Sequence, residues 1–319
     1  MAGNHAQPSY IALHERGELA RRRDAALAAL ADCRLCPRAC GVDRTAGDTG
    51  FCGAGRLANI ASYTLHWGEE APLVGEVGSG TVFFSGCNLG CSFCQNADIS
   101  TDAAAGLDAA PDELAGVMLQ LQRQGAANIN LVSPSHVAAQ VLEALPIAVE
   151  HGLALPIVYN CGGYDSVETL RLLDGVVDVY MPDAKVWDED AAARILGARD
   201  YPGRARAAIA EMHRQVGDLA LDESGLAVRG LLVRHLLLPG GMEADLAGTR
   251  RWLPFLAGLS TGTYINIMGQ YRPCHRAGEH PELLGPVSGD DVARARELAA
   301  SLGLERLDGA PGLWRLAGR

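Results

Sequence analysis

Short apolar runs rich in β-branched residues alternate, from residue 81 onwards, with longer stretches whose apolar positions recur every three or four residues. The first kind predicts strands at 81–85, 127–132 (ANINLV), 155–159 (LPIVY), 177–181 (VDVYM), 229–237 (RGLLVRHLL) and 263–268 (TYINIM). The second predicts helices over 111–124, 136–149, 165–173, 187–216 in pieces, 243–257 and 289–302. The strand-like runs are continuously apolar, the pattern of strands covered on both faces. Strand–helix units in series predict an α/β fold with a parallel sheet, because each helical crossover returns the chain in the same direction. Six such units fall short of the usual eight-stranded closure. Upstream, residues 8–32 carry Ala, Leu, Glu and Arg at helical spacing and predict an amphipathic helix with Arg21–Arg23 on its solvated face. Residues 54–80, with His66, Trp67, Glu69, Glu70 and a Gly-rich GEVGSG, read as a surface loop or β-meander. The tail, 303–319, with Gly and Pro breaks and a lone Trp314, reads as a lid or closing strand. The chain thus divides into an N-terminal segment (1–80), a central β/α unit (81–285) and a C-terminal helix and tail (286–319).

Composition narrows the function classes. Of 319 residues, 48% are hydrophobic, ample for a large core, and the formal net charge of −11 argues against sequence-independent binding of nucleic acid or anionic membranes. No stretch is long and apolar enough for a transmembrane helix, and residues 1–25 lack the apolar core of a signal peptide, which predicts a cytoplasmic protein. Seven of the nine cysteines fall in two tight clusters, which suits metal binding better than a disulfide framework.

The later cluster lies in TVFFSGCNLGCSFCQN, residues 81–96, where Cys87, Cys91 and Cys94 leave the C-terminal end of the first predicted parallel strand. Three thiolates on one loop can hold three corners of a cubane [4Fe–4S] cluster, and the absence of a fourth nearby cysteine leaves one iron open. Structural zinc sites are closed and four-coordinate, so a purely structural reading fits this loop poorly. The earlier cluster is CRLCPRACGVDRTAGDTGFCG, with Cys33, Cys36, Cys40 and Cys52. Four thiols in twenty loop-like residues call for zinc in a closed site or an auxiliary iron–sulfur cluster, with free or redox-paired thiols as the remaining reading.

Ligands of parallel β/α folds sit beyond the C-terminal ends of the strands. Five polar groups occupy those places: Ser133-Pro134-Ser135-His136; Asn160-Cys161-Gly162-Gly163; Asp183-Ala184-Lys185; the Arg234-His235 pair, of which at most one faces the interior; and Gly269-Gln270-Tyr271 with Cys274 and His275. The serines serve equally well as helix caps. Cys161 and Cys274 read first as small buried hydrophobes, and Asp183 and Lys185 could be a structural ion pair.

The text FFSGCNLGCSFCQNADIS, with Phe93 before the last cysteine, resembles the radical S-adenosylmethionine (SAM) superfamily, and in particular proteins similar to pyruvate formate-lyase-activating enzyme and other glycyl-radical-enzyme activases. The likeness runs over roughly residues 33–285. It implies a partial (β/α)6 barrel that holds a [4Fe–4S] cluster on Cys87, Cys91 and Cys94. It implies SAM chelated to the open iron and cleaved reductively to a 5′-deoxyadenosyl radical that abstracts hydrogen. It further implies that Asp183 and Lys185 meet the methionyl end of SAM, Asn160 and Tyr271 the ribose, and Phe93 the adenine. A Gly-Gly-Glu motif for the SAM ammonium is missing after the second strand, which leaves Ser133 and Ser135 as candidates there. Implied partners are a flavodoxin or ferredoxin as electron donor and a glycyl radical enzyme as substrate. A radical SAM reaction on a small molecule or peptide is the competing activity, and a non-catalytic metal-binding or redox-sensing protein is the reading of another class.

Overall fold

The computed structural model describes residues 7–309. Strand β1 (Ala58–His66) pairs antiparallel with β2 (Ser79–Phe84) and with the short β3 (Leu107–Ala109). From β2 the sheet continues in parallel through β4 (Ile129–Val132), β5 (Ile157–Cys161) and β6 (Val179–Pro182). Beyond the two-residue β7 (Ala220–Leu221), β8 (Ala227–Leu236) joins β6 and then β9 (Tyr264–Met268), again in parallel. These six parallel strands are the six runs marked out by continuous apolarity, and they lie side by side in chain order.

The helices are α1 (Ser9–Glu15), α2 (Glu18–Ala28), α3 (Ala71–Val74), α4 (Ala97–Ser100), α5 (Pro111–Arg123) and α6 (Ala138–Glu150). They continue with α7 (Val167–Leu172), α8 (Glu189–Ile195), α9 (Tyr201–Val216), α10 (Gly241–Ala244), α11 (Thr249–Leu259) and α12 (Gly289–Ser301). A sheet whose parallel strands follow in chain order needs every crossover to have the same hand, so the connecting helices gather on one face. There α5 buries Leu114, Met118 and Leu121, spaced on one helical stripe, within the main core. The expected single helix over 8–32 breaks at Gly17, whose φ of 70° no helix interior allows.

The opposite face is covered by the chain between β1 and β2. Leu73, fully buried, packs on Val158, Val179, Met181 and Leu232, which alternate along β5, β6 and β8 toward that side. Burial of such a leucine stabilises by roughly 1.5–3 kcal/mol. Asn128 fastens the segment, accepting from Ser79 Oγ at 2.7 Å and donating to the Leu73 carbonyl at 2.7 Å. Of the two readings of the 54–80 stretch, the antiparallel pairing of β1 with β2 bears out the β-meander rather than the surface loop. The stretch supplies a nine-residue antiparallel strand and an internal plug, and it became legible only once its partner strands were in place. Of the tail, residues 306–308 pair with Ile265 of β9; Trp314 lies outside the described residues.

Candidate metal and cofactor site

The Cys87–Cys94 loop leaves β2 at Gly86, whose φ is 77° and where a Cβ would stand 2.4 Å from the Cys52 carbonyl oxygen. Only glycine lets the two cysteine segments approach so closely. The loop is tied to the end of α8 by Gly90 N–H to Leu196 O (3.0 Å) and Ser92 N–H to Ile195 O (2.8 Å). Leu89 N–H points to Cys87 Sγ at 3.4 Å, and Ser100 Oγ lies 3.2 Å from Cys94 Sγ. Burial pushes the Cys87 thiol up and the Cys91 thiol up to about 12, with Lys185 pulling both back down. Thiolates here need positive charge beside them, and Lys185 is the cation that this fold supplies.

Lys185 Nζ stands 2.7 Å from Asp183 Oδ2 just past β6. Burial works against the ammonium, but Asp183 and Cys91 outweigh it and hold its pKa above the ordinary lysine range. Tyr201, at the start of α9, clamps this corner. Its hydroxyl accepts the Lys185 N–H at 3.0 Å and lies 2.7 Å from Asp183 O and 3.0 Å from Gly162 O. Nothing in the sequence pattern marks Tyr201, which acts through backbone that only folding brings together. Gly162 and Gly163 do permit close approach, but of the chain itself. A Cβ at Gly162 would stand 2.8 Å from Leu89 Cδ1, and one at Gly163 2.5 Å from Asp183 O.

The remaining candidates divide. Ser133, held at φ 57°, is half-buried just past β4, its N–H bonded to Asn160 O at 2.8 Å. Ser135 is 3% exposed, within the short turn that follows. Phe93 is buried edge-on to Tyr271, with ring centroids 6.1 Å apart, but the Tyr271 hydroxyl is donated to the Leu283 carbonyl at 2.8 Å. The donor expected to meet a ribose is thus already committed, and Tyr271 offers a ring face. Asn160 faces the plugged side of the sheet, where its Oδ1 accepts from Arg234 Nη1 at 3.4 Å.

Arg234 is the centre of a network that the sequence reading left unassembled. It pairs bidentately with Glu70 (2.7 and 2.7 Å) and also with Glu69, both carried by the plug. Asn266 of β9 donates to Glu70 Oε1 at 2.7 Å, and His66 lies 3.5 Å from Glu69. Burial pushes the Glu69 carboxyl up, but Arg234 and His66 together hold it down at about 2. The available signal was an acidic pair in a variable-looking loop and a lone arginine in an apolar strand. His235, one residue on, faces the other way and bonds Thr249 and the Ala184 carbonyl.

Cys33, Cys36, Cys40 and Cys52 line a single small cavity of about 10 Å³, together with Arg38, Arg44 and His136. Among the described residues, no three His, Cys, Asp or Glu side chains already converge as a ready-made metal site. All nine cysteines are unpaired, and no helix of the described residues is long and apolar enough to cross a membrane.

No family model matches the chain. An uncharacterized protein of Methanocaldococcus jannaschii is 29% identical over 282 residues, which cover 86% of this chain and 76% of that one. Among solved structures, that of TYW1 with a lysine–pyruvate adduct bound aligns at a TM-score of 0.42 and 10% identity, over 69% of this chain and 73% of that chain. A likeness of that size carries no argument about chemistry.

Proposed function

We propose that this chain is a radical SAM enzyme on a partial (β/α)6 barrel. The observation that supports the reading best is the meeting of the Cys87–Cys94 loop with Asp183 and Lys185 across the C-terminal ends of parallel strands. The donor set fits the group. Three thiols lie on one loop with a backbone N–H aimed at the first, and a half-buried cation, Lys185, stands beside two of them. When bound, a [4Fe–4S] cluster with SAM supplies one-electron cleavage of the sulfonium and a carbon radical that abstracts hydrogen.

The residues of this chain bind, orient and shield. Cys87, Cys91 and Cys94 would hold the cluster. Lys185 and Asp183 present a cation and an anion 2.7 Å apart, matched to the carboxylate and ammonium of an amino acid. Tyr201 fixes both through their backbone, and Arg234 fixes Asn160. Phe93 and Tyr271 form an apolar wall suited to a purine face. Of the activities in this class, we place activation of a glycyl radical enzyme first, on the sequence resemblance, with a flavodoxin or ferredoxin as electron donor; a small-molecule or peptide substrate is the alternative.

The test is anaerobic reconstitution followed by EPR of the dithionite-reduced protein with and without SAM, and assay for 5′-deoxyadenosine. A cubane signal that shifts on adding SAM, with 5′-deoxyadenosine formed, is the expected result. A protein that takes up iron but neither responds to SAM nor cleaves it would refute the reading.

A further inference from the structure

The four-cysteine segment has features that the proposed function does not use. Its cavity of about 10 Å³ is close to the space of a single water-sized sphere, roughly 10–15 Å³. That is room for a single ion, on which the sulfurs would have to close, since no three of them already converge on one point among the described residues. The Phe51 N–H already addresses one of the four sulfurs, that of Cys40, at 3.4 Å. Such a donor stabilises thiolate over thiol. Ala39, between Cys36 and Cys40, is held at φ 44°, a left-handed conformation strained for a residue with a Cβ. At Gly50 a Cβ would stand 2.7 Å from Cys40 Sγ, so only glycine leaves that sulfur its place.

Charge gives an independent argument. Arg44 is 1% exposed. Its Nε donates to Gly55 O at 2.8 Å and its Nη1 to His136 O at 2.8 Å, with Cys33 Sγ 3.9 Å away. Its Nη2 has no partner, nor has Nη2 of Arg38, and both arginines line the cavity. No carboxylate lines it. The buried Arg44 and the half-buried Arg38, each with an unpartnered Nη2, would be costly beside four neutral thiols. Four thiolates around one divalent cation carry a net charge of −2, which two arginines balance.

We propose that Cys33, Cys36, Cys40 and Cys52 bind one thiophilic divalent ion of the zinc type, and that this ion fixes the Cys87–Cys94 loop in place. The mechanical link is Arg38. Its Nε donates to Asn88 O at 2.9 Å, its Nη1 to Gly197 O at 2.7 Å, and its guanidinium lies 3.6 Å from the Phe51 ring centroid. Gly86 adds the close contact on the Cys52 carbonyl. The loop that carries one set of cysteines thus rests on the segment that carries the other.

The experiment compares intact protein with a Cys87→Ala/Cys91→Ala/Cys94→Ala variant, both produced anaerobically with zinc and iron supplied. Both are expected to retain about one zinc per chain, in a sulfur-only shell at about 2.3 Å by zinc-edge absorption. Removing the zinc, by a Cys36→Ala/Cys52→Ala variant or with a chelator on the intact protein, is expected to speed amide exchange across 87–94 at least tenfold. About four irons without zinc in the triple variant, a nitrogen-containing shell, or no bound metal would overturn the ion assignment. Unchanged exchange at 87–94 after zinc loss would overturn the link. None of these readouts depends on SAM chemistry, so failure of the proposed activity would leave them standing.

Discussion

Replacing Arg234 by methionine tests the buried network on the plugged face of the sheet. The change keeps the apolar stem and removes every guanidinium N–H given to Glu69, Glu70 and Asn160, leaving Glu70 only the Asn266 amide. Glu70 is 3% exposed, so its carboxylate is left without countercharge in a place water does not reach. Breaking a buried pair in this way costs about 3–5 kcal/mol. At about 2–3 °C per kcal/mol, that is a fall in Tm of roughly 6–15 °C at pH 7. The pH dependence carries the sign. In the intact protein, Glu69 titrates at about 2, below its unfolded value. Its stabilisation is therefore present above about pH 4 and lost as pH falls through about 2. In Arg234→Met the same carboxyl keeps only His66 beside it, so its pKa rises, and stability is lost as pH rises and His66 gives up its proton. Thermal unfolding at pH 5 and pH 7 should find the variant losing more stability between the two pH values than the intact protein loses. Adding Glu69→Gln and Glu70→Gln to the variant should recover much of the loss, because no bare charge is then buried. A variant within about 1 kcal/mol of the parent, or one whose Tm moves between the two pH values no more than the parent's, would refute this account of the network.

Three further outcomes follow from the same geometry. Lys185→Met should leave iron content unchanged and abolish the SAM-induced shift of the EPR signal; an unaltered shift would remove Lys185 from the site. Tyr201→Phe leaves the Lys185 amide and the Asp183 and Gly162 carbonyls short of a partner, so unfolding should come about 1–3 kcal/mol earlier in denaturant titration and SAM should bind more weakly. Asp178, which burial pushes up to about 6 although it accepts from Ile157 N–H and Ser9 N–H, should make stability fall by roughly 2–3 kcal/mol as pH rises from about 4 through 6. Asp178→Asn should flatten that slope in urea titrations across the range, and an unchanged slope would show that this carboxyl is not its source.

The sequence by itself determined the parallel core and the grouping of the cysteines into two clusters, because both are written in local pattern. Continuous apolar runs such as IVYNC at β5 can only be strands covered on both faces, and crossovers of helical period leave little choice of topology. Cys87, Cys91 and Cys94 are close in the chain, so no fold could separate them far, and the same holds for Cys33, Cys36, Cys40 and Cys52. Tertiary structure alone decided what those elements enclose. Glu70 and Arg234 are 164 residues apart and Arg38 and Gly197 are 159 apart, and no periodicity links such pairs. Ser133 and Ser135 look equivalent in sequence, but a left-handed turn leaves Ser133 half-buried at the end of β4 while Ser135 is buried. The 69–74 segment was misread for a physical reason. Its charges look solvated until β8 and β9 bring Arg234 and Asn266 to meet them, and burial of a carboxylate is affordable only beside its partner.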